Sequence, residues 1–273
     1  MTTDTTSTSA ATLHRVPLVL DHLAILVSRS LRTSARVPQL LMFSLTMPMS
    51  MLILFSQVFR SVADSPSFPA GVSYIDFLTP AMLAVATVMA GTNAGVAAAI
   101  DHANGLYDRF STLPMSSWLP SLARMVNETV MTLARAALLL GAAAAMGFRF
   151  HGTLLDAISG LLVTICLAAA MSALFGEIGD RLRRPDVVQF AGMMVMMPLM
   201  FLSAAFAPLE SMPGWMRTVA ALNPVEHAIV ALRGDVLGTA TLADSGSAVA
   251  AAAGLWAVVA LFRLARRRRS LAA

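Results

Sequence analysis

The chain has 273 residues, of which 57% are hydrophobic and only 12% charged, and its mean hydropathy is +0.73; soluble domains carry roughly 25% charged residues, so this is membrane composition. The net charge of +4 comes from arginine without a single lysine, and the arginines gather at the ends of apolar stretches, which reads as membrane topology and not as a nucleic-acid surface. The lone cysteine, Cys166, lies inside an apolar run and excludes an internal disulfide or a thiolate metal cluster.

Residues 1–12 are rich in Ser, Thr and Ala without the basic and apolar blocks of a secretory signal, which predicts a disordered tail. Over 13–36, Leu18, Leu23, Ile25, Leu26 and Leu31 interleave at helical spacing with Arg15, His22, Arg29, Arg32 and Arg36. That pattern predicts a cytoplasmic helix along the membrane surface, its arginines toward anionic headgroups, or a short solvated helix leading into the first span.

A hydrocarbon core about 30 Å thick needs about 20 apolar residues in a helix. Six stretches approach that length: 37–59, 77–100, 122–148, 154–175, 187–207 and 247–264. Arg15, Arg29, Arg32, Arg36, Arg109, Arg124, Arg181, Arg183, Arg184, Arg263 and the run Arg266 to Arg269 fall on one side, against Arg60, Arg149, Arg217 and Arg233 on the other. The positive-inside rule places the richer side, and both termini, in the cytoplasm, with 265–273 as a basic tail anchoring the last span.

The loop after the second span holds Leu106, Tyr107, Asp108, Arg109, Phe110, Leu113 and Pro114. Leu106, Phe110 and Leu113 are spaced by four and three, Asp108 and Arg109 face elsewhere, and Pro114 stops the turn. A short helix with one apolar face is predicted, suited to a groove on a partner protein, the alternative being a solvated connector. A second cytoplasmic loop is expected over 176–186, where Glu177, Asp180, Arg181, Arg183, Arg184 and Asp186 either add an electrostatic contact to that partner or form a solvated connector.

Within the third span, Asn127, Glu128 and Arg135 lie close together, with Arg124 one turn before Glu128. Steps of four and seven put Arg124, Glu128 and Arg135 on one helix face. Ionisable groups inside a span cost several kcal/mol unless paired or hydrated, so these mark a translocation path, a subunit interface or a structural ion pair. Met193, Met194, Met196, Met197 and Met200 of the fifth span either form a surface that accepts several apolar ligands or, as is commoner, fill gaps in a helix bundle.

Between 206 and 244 the chain is too apolar for an ordinary outer loop, with Pro208, Pro213 and Trp215 followed by Asn223, Pro224 and Glu226. Asn223 as cap, Pro224 as first helical residue and Glu226 reaching back predict a capping-box helix start. The helix over 225–237 would carry Glu226, His227, Arg233 and Asp235 beside Ile229, Val230, Leu232 and Val236. Two short helices dipping into the outer leaflet fit this pattern.

A P-loop needs a lysine to reach the phosphates, so a chain without lysine requires a separate ATPase for any ATP-driven role. His14, His22, His102, His151 and His227 are scattered and form no metal-ligand spacing. The run 176–180 superficially matches an aspartyl protease signature, but Glu177 stands where a glycine is needed. Neither a nucleophile elbow nor a zinc motif is present, so no catalytic or metal residue is expected.

Three blocks carry a resemblance: Gly105 to Pro114 with Met115 and Ser116; Pro198 to Ser203; and Pro208 through Pro213, Gly214 and Trp215 to Asn223, Pro224, Arg233 and Gly234. In order and spacing they resemble the type-2 ABC exporter permeases, within them the daunorubicin-resistance-like branch that also serves lipid and polyketide export in actinobacteria. Related proteins often have a glycine soon after the serine of the second block, whereas Ala204 and Ala205 follow Ser203 here.

The resemblance implies an all-α polytopic permease domain over 37–264, like a type V ABC exporter, with six transmembrane helices, an N-terminal interfacial helix and re-entrant extracellular helices before the last span. It makes Leu106 to Pro114 the helix that couples to an ABC ATPase subunit, and Pro208, Pro213, Trp215, Asn223, Pro224 and Arg233 the re-entrant motif. The chain would need no cofactor of its own, ATP being bound by the partner. It would pair with a second permease subunit, identical or homologous, amid the lipids of the bacterial plasma membrane, and export a hydrophobic or amphipathic drug, polyketide or lipid. A secondary transporter commonly shows inverted repeats and a lipid-modifying enzyme a convergent catalytic cluster; neither is evident.

Overall fold

The structure, a computed structural model, describes residues 24–29, 31–32, 38–59, 68, 71–106, 118–206, 209 and 212–272. The expected tail over 1–12, Tyr107 to Pro114 of the coupling segment and Pro208 lie outside the described residues, and of the surface helix only 24–29 and 31–32 are described, all helical. The elements are α1 (Pro38–Val58), α2 (Tyr74–Ala103), α3 (Leu119–Ala145), α4 (Leu154–Leu182), α5 (Pro185–Phe201), α6 (Gly214–Ala220), α7 (Pro224–Leu237) and α8 (Leu242–Ala272). No strand occurs among the described residues. By length and composition α2, α3, α4 and the Leu242–Phe262 part of α8 suffice to cross a membrane, while Met42–Val58 and α5 are shorter apolar helices.

The helix ends follow from local chemistry. The Ser73 hydroxyl accepts from the Asp76 amide at 3.2 Å to start α2, and Thr153 and Asp156 satisfy each other's amides in a capping box at α4. Thr241 and Asp244 repeat that exchange where α8 begins. Gly238, at φ 69°, closes α7 in the left-handed conformation that costs glycine least.

The loop expected over 176–186 is helix as far as Leu182, and only Arg183 and Arg184 separate α4 from α5. Its charges are satisfied where they stand: Glu177 pairs with Arg181 one turn on at 3.2 Å, and Asp180 takes a cation from another helix. A helix whose charges find partners has no cause to unwind, so the charge density that suggested a loop marks a helix end packed against its neighbours.

α2 is the centre of the bundle, touching α1, α3, α4, α5 and α7. Phe77, Leu78 and Met82 of α2, Leu139 of α3 and Met171 and Phe175 of α4 are almost wholly buried together. Against α4 the approach is backbone to backbone. A Cβ added to Gly91 would meet that of Met171 at 2.5 Å, one on Gly95 would meet the Phe175 carbonyl oxygen at 2.5 Å, and one on Gly179 would strike the Gly95 carbonyl. Small residues at such a seam let two helices exchange dispersion contacts that lipid cannot offer.

The methionine cluster of α5 divides. Met196 and Met200 fill the core as expected, but Met193, Met194 and Met197 are exposed, beside Phe190 and Phe201. The reason is position: α5 lies at the rim of the bundle, so only one stripe of it reaches the core and the remaining thioethers face outward.

Candidate functional site

Three polar knots and one cavity punctuate the apolar bundle. The first joins α2, α3 and α4 at one end. Arg124 reaches Asp101 at 3.6 Å and Asp180 at 3.3 Å, and His102 lies 3.4 Å from the same Asp180 oxygen. Arg124 shares a helix with Glu128, yet its guanidinium turns across to the neighbouring helices. Leu106, just beyond the end of α2, and Trp118, just before α3, bracket the segment 107–117 at this same end.

The second knot sits within the bundle. Glu128 and Arg135 pair at 3.4 Å, as their seven-residue spacing predicts, and Arg135 Nε donates to Ser44 Oγ of α1 at 3.0 Å. Asn127 is buried beside them. The arrangement ties α3 to α1 from inside the chain.

The third knot gathers residues of the motif after α5. Asn223 caps α7 through the Val225 amide at 2.9 Å, but Glu226 does not reach back to close a capping box. Its carboxylate accepts instead from the amide of Ala204. Asn223 Nδ2 donates to the carbonyls of Leu199 at 2.7 Å and Leu202 at 3.3 Å, and Arg233 Nη2 donates to that of Ala204 at 2.8 Å. The cause is the end of α5, whose last carbonyls have no intrahelical donor and whose following turn has free amides; α7 supplies both kinds of partner. Pro213 leads into α6, and Trp215 is exposed there.

The cavity, of about 710 Å³, lies between α2, α3, α4 and α7. Leu83, Leu133, Leu140, Phe148 and Leu161 supply apolar walls, and Asp235 and Asp156 supply the charge. Asp235 is only 2% exposed, and among the described residues neither carboxylate oxygen has a partner in good hydrogen-bonding geometry. Its carboxyl is pushed up to about 6, chiefly by burial, with the negative charges of Asp156 and Asp244 adding to the rise and Ser159 opposing it. The sequence presents Asp235 merely as one polar residue of α7; the glycine at 160, whose Cβ would stand 3.3 Å from Asp235 Oδ2, is a signal only once the two helices are known to meet.

Residues 21–237 match the family model of the ABC-2 type transporter. The chain belongs to that family. It is 33% identical over 238 residues to the daunorubicin resistance ABC transporter permease protein DrrB1 of Streptomyces coeruleorubidus, covering 85% of this chain and 81% of that one. It is similar also to the probable doxorubicin resistance ABC transporter permease protein DrrC of Mycobacterium tuberculosis, 24% identical over 80% of this chain and 78% of the other. A third relative, the putative transport permease ycf38 of Porphyra purpurea, is 27% identical over 79% of this chain and 74% of its own. An ABC-2 chain with permease relatives of this kind is the membrane subunit of an ABC exporter, a multi-pass protein that works with an ATPase subunit and is not itself that ATPase.

Proposed function

We propose that this ABC-2 permease moves an apolar or amphipathic molecule, a drug, polyketide or lipid, outward across the plasma membrane, driven by a separate ATPase chain. α1 to α5 and α8 would be its six crossings, with both termini cytoplasmic as the arginine distribution requires. α6 and α7, too short to cross, would dip into the outer leaflet, where α7 partners the end of α5. The relatives named for resistance to daunorubicin and doxorubicin support an amphipathic cargo.

The observation that carries this reading is the knot of Arg124, Asp101 and Asp180. It binds three long helices at the end from which the segment 107–117 departs, so a push on that segment reaches α2, α3 and α4 together. Coupling needs such an element, with different contacts in two states. A second permease, identical or homologous, would cover outward-facing residues of α1 and α5, such as Phe43, Phe190 and Met194.

Co-purification of the tagged chain with its ATPase in nanodiscs, followed by ATP hydrolysis, tests the proposal. Wild type should retain the ATPase, and Leu106→Asp/Phe110→Asp should lose it or uncouple hydrolysis. If no protein with a P-loop associates with the wild-type chain, the exporter reading fails.

A further inference from the structure

We propose that the cavity between α2, α3, α4 and α7 binds a lipophilic organic cation, with the carboxylate of Asp235 as its counter-ion. The inference rests on the export reading and gives its cargo a chemical class.

Burying an ionised carboxylate without a partner is costly, and such groups are ordinarily paired or hydrogen-bonded. Asp235 is 98% buried by its 2% exposure, lines the cavity and, among the described residues, has no partner in good hydrogen-bonding geometry at either oxygen. The Ser159 hydroxyl lies beside it and lowers its carboxyl somewhat by hydrogen bonding, while also meeting the Ser245 hydroxyl at 2.8 Å; a neutral hydroxyl leaves the charge without a counter-ion. No arginine stands against it; the charges acting on it are Asp156 from α4 and Asp244 from α8, both negative. Two carboxylates, Asp235 and Asp156, line one apolar space, and with the charge of Asp244 acting on Asp235 as well they attract a cation and repel an anion.

The walls decide what kind of cation. Among the described residues no group of three or more ligating side chains could hold a metal ion. A volume of about 710 Å³ falls within the range of roughly 300–1,000 Å³ typical of drug-sized ligands. Leu83, Leu133, Leu140 and Leu161 would cover an apolar body, and Phe148 and Phe150 add ring faces that favour a positive charge. Gly160 also lines the cavity, and a Cβ there would approach Asp235 Oδ2 to 3.3 Å, so the absence of a side chain leaves that flank of the carboxylate uncrowded.

The test uses the full chain in nanodiscs of neutral lipid, without the ATPase, and rhodamine 6G as the cationic probe, with Nile red as the neutral one. Anisotropy is read against empty nanodiscs. Asp235→Asn should weaken rhodamine 6G about tenfold or more, the scale of one charge-assisted contact, and leave Nile red within about twofold. Gly141→Phe should weaken both probes: Gly141 lines the cavity, and a Cβ there meets nothing within 4 Å, so the substitution starts from open space on the cavity wall and is expected to take up part of its volume. Equal rhodamine 6G binding by wild type and Asp235→Asn, or equal loss of both probes in that variant, overturns the proposal. Should Asp235→Asn not yield a monodisperse protein, Gly141→Phe decides, and unchanged rhodamine 6G binding there overturns it.

The two readings fail separately. If the ATPase does not co-purify yet the probe depends on Asp235, the cation site stands without the exporter reading. If the ATPase co-purifies and the probe ignores Asp235, the exporter reading stands without the cation site.

Discussion

Arg233 of α7 holds its guanidinium carbon 3.6 Å from the ring centre of Phe77 on α2. Its Nε donates to the Phe77 carbonyl at 3.3 Å, and its Nη2 to that of Ala204 at 2.8 Å. One side chain thus fastens α7 to α2 and to the turn after α5.

A planar fork is required for that, so Arg233→Lys is expected to destabilise the fold although the charge is kept. Loss of one charge-assisted bond and the ring contact amounts to about 1–3 kcal/mol. Thermal unfolding in detergent measures it; an unchanged midpoint would mean the fork does not hold α7.

The seam between α2 and α4 makes a contrast between two glycines. Gly179→Ala pushes a methyl group into the Gly95 carbonyl and should cost about 1–3 kcal/mol or more, because backbone cannot step aside. Gly254→Ala in α8 meets nothing within 4 Å and should be neutral or stabilising by up to about 1 kcal/mol. Monodisperse yield and unfolding midpoint of the two variants distinguish a backbone seam from a general intolerance of change.

At the Arg124 knot, removing the cation alone takes away the arginine that both Asp101 and Asp180 face. Arg124→Met should destabilise by about 1–3 kcal/mol, below the figure for a fully buried pair because the Asp180 side chain keeps 18% exposure. Adding Asp180→Leu should recover part of that loss. A double-mutant cycle without such coupling would show that the two residues do not act together.

Asp235 predicts a pH dependence with a definite sign. Its carboxyl stands at about 6 in the folded chain, above the unfolded value of about 4, so the fold favours the protonated form. That contribution is complete below about pH 4 and is lost as pH rises through about 6. Wild type in detergent should therefore lose more stability between pH 4.5 and pH 7.5 than Asp235→Asn does. Rhodamine 6G should reverse the trend for its own binding, tightening over the same interval as the carboxylate ionises. Parallel pH profiles for the two proteins would remove Asp235 as the titrating group.

Apolar length is a local property, which is why the six stretches read from sequence each overlap a helix among α1 to α5 and α8, although only α2, α3, α4 and the Leu242–Phe262 part of α8 are long and apolar enough to cross a membrane. Partnerships are not local. The charges at 177–181 look like a solvated loop until Arg124 arrives from α3, and Glu226 looks like a capping residue until the Ala204 amide is seen to need an acceptor. Asn223 and Pro224 were legible because a helix start is written in adjacent residues; the meeting of Asp235 with Gly160 depends on two helices packed side by side. The outward-facing methionines of α5 follow the same rule, since composition gives a helix its apolar character but not its neighbours.

Where Gly91, Gly95 and Gly179 bring the backbones of α2 and α4 together, no flexible side chain is left to absorb a small displacement. Sliding one helix along the other drives carbonyl against carbon, so the pair travels as a single stiff spine. Any rearrangement of the bundle is then expected to fall to the helices packed around that spine, while its own two helices keep their register.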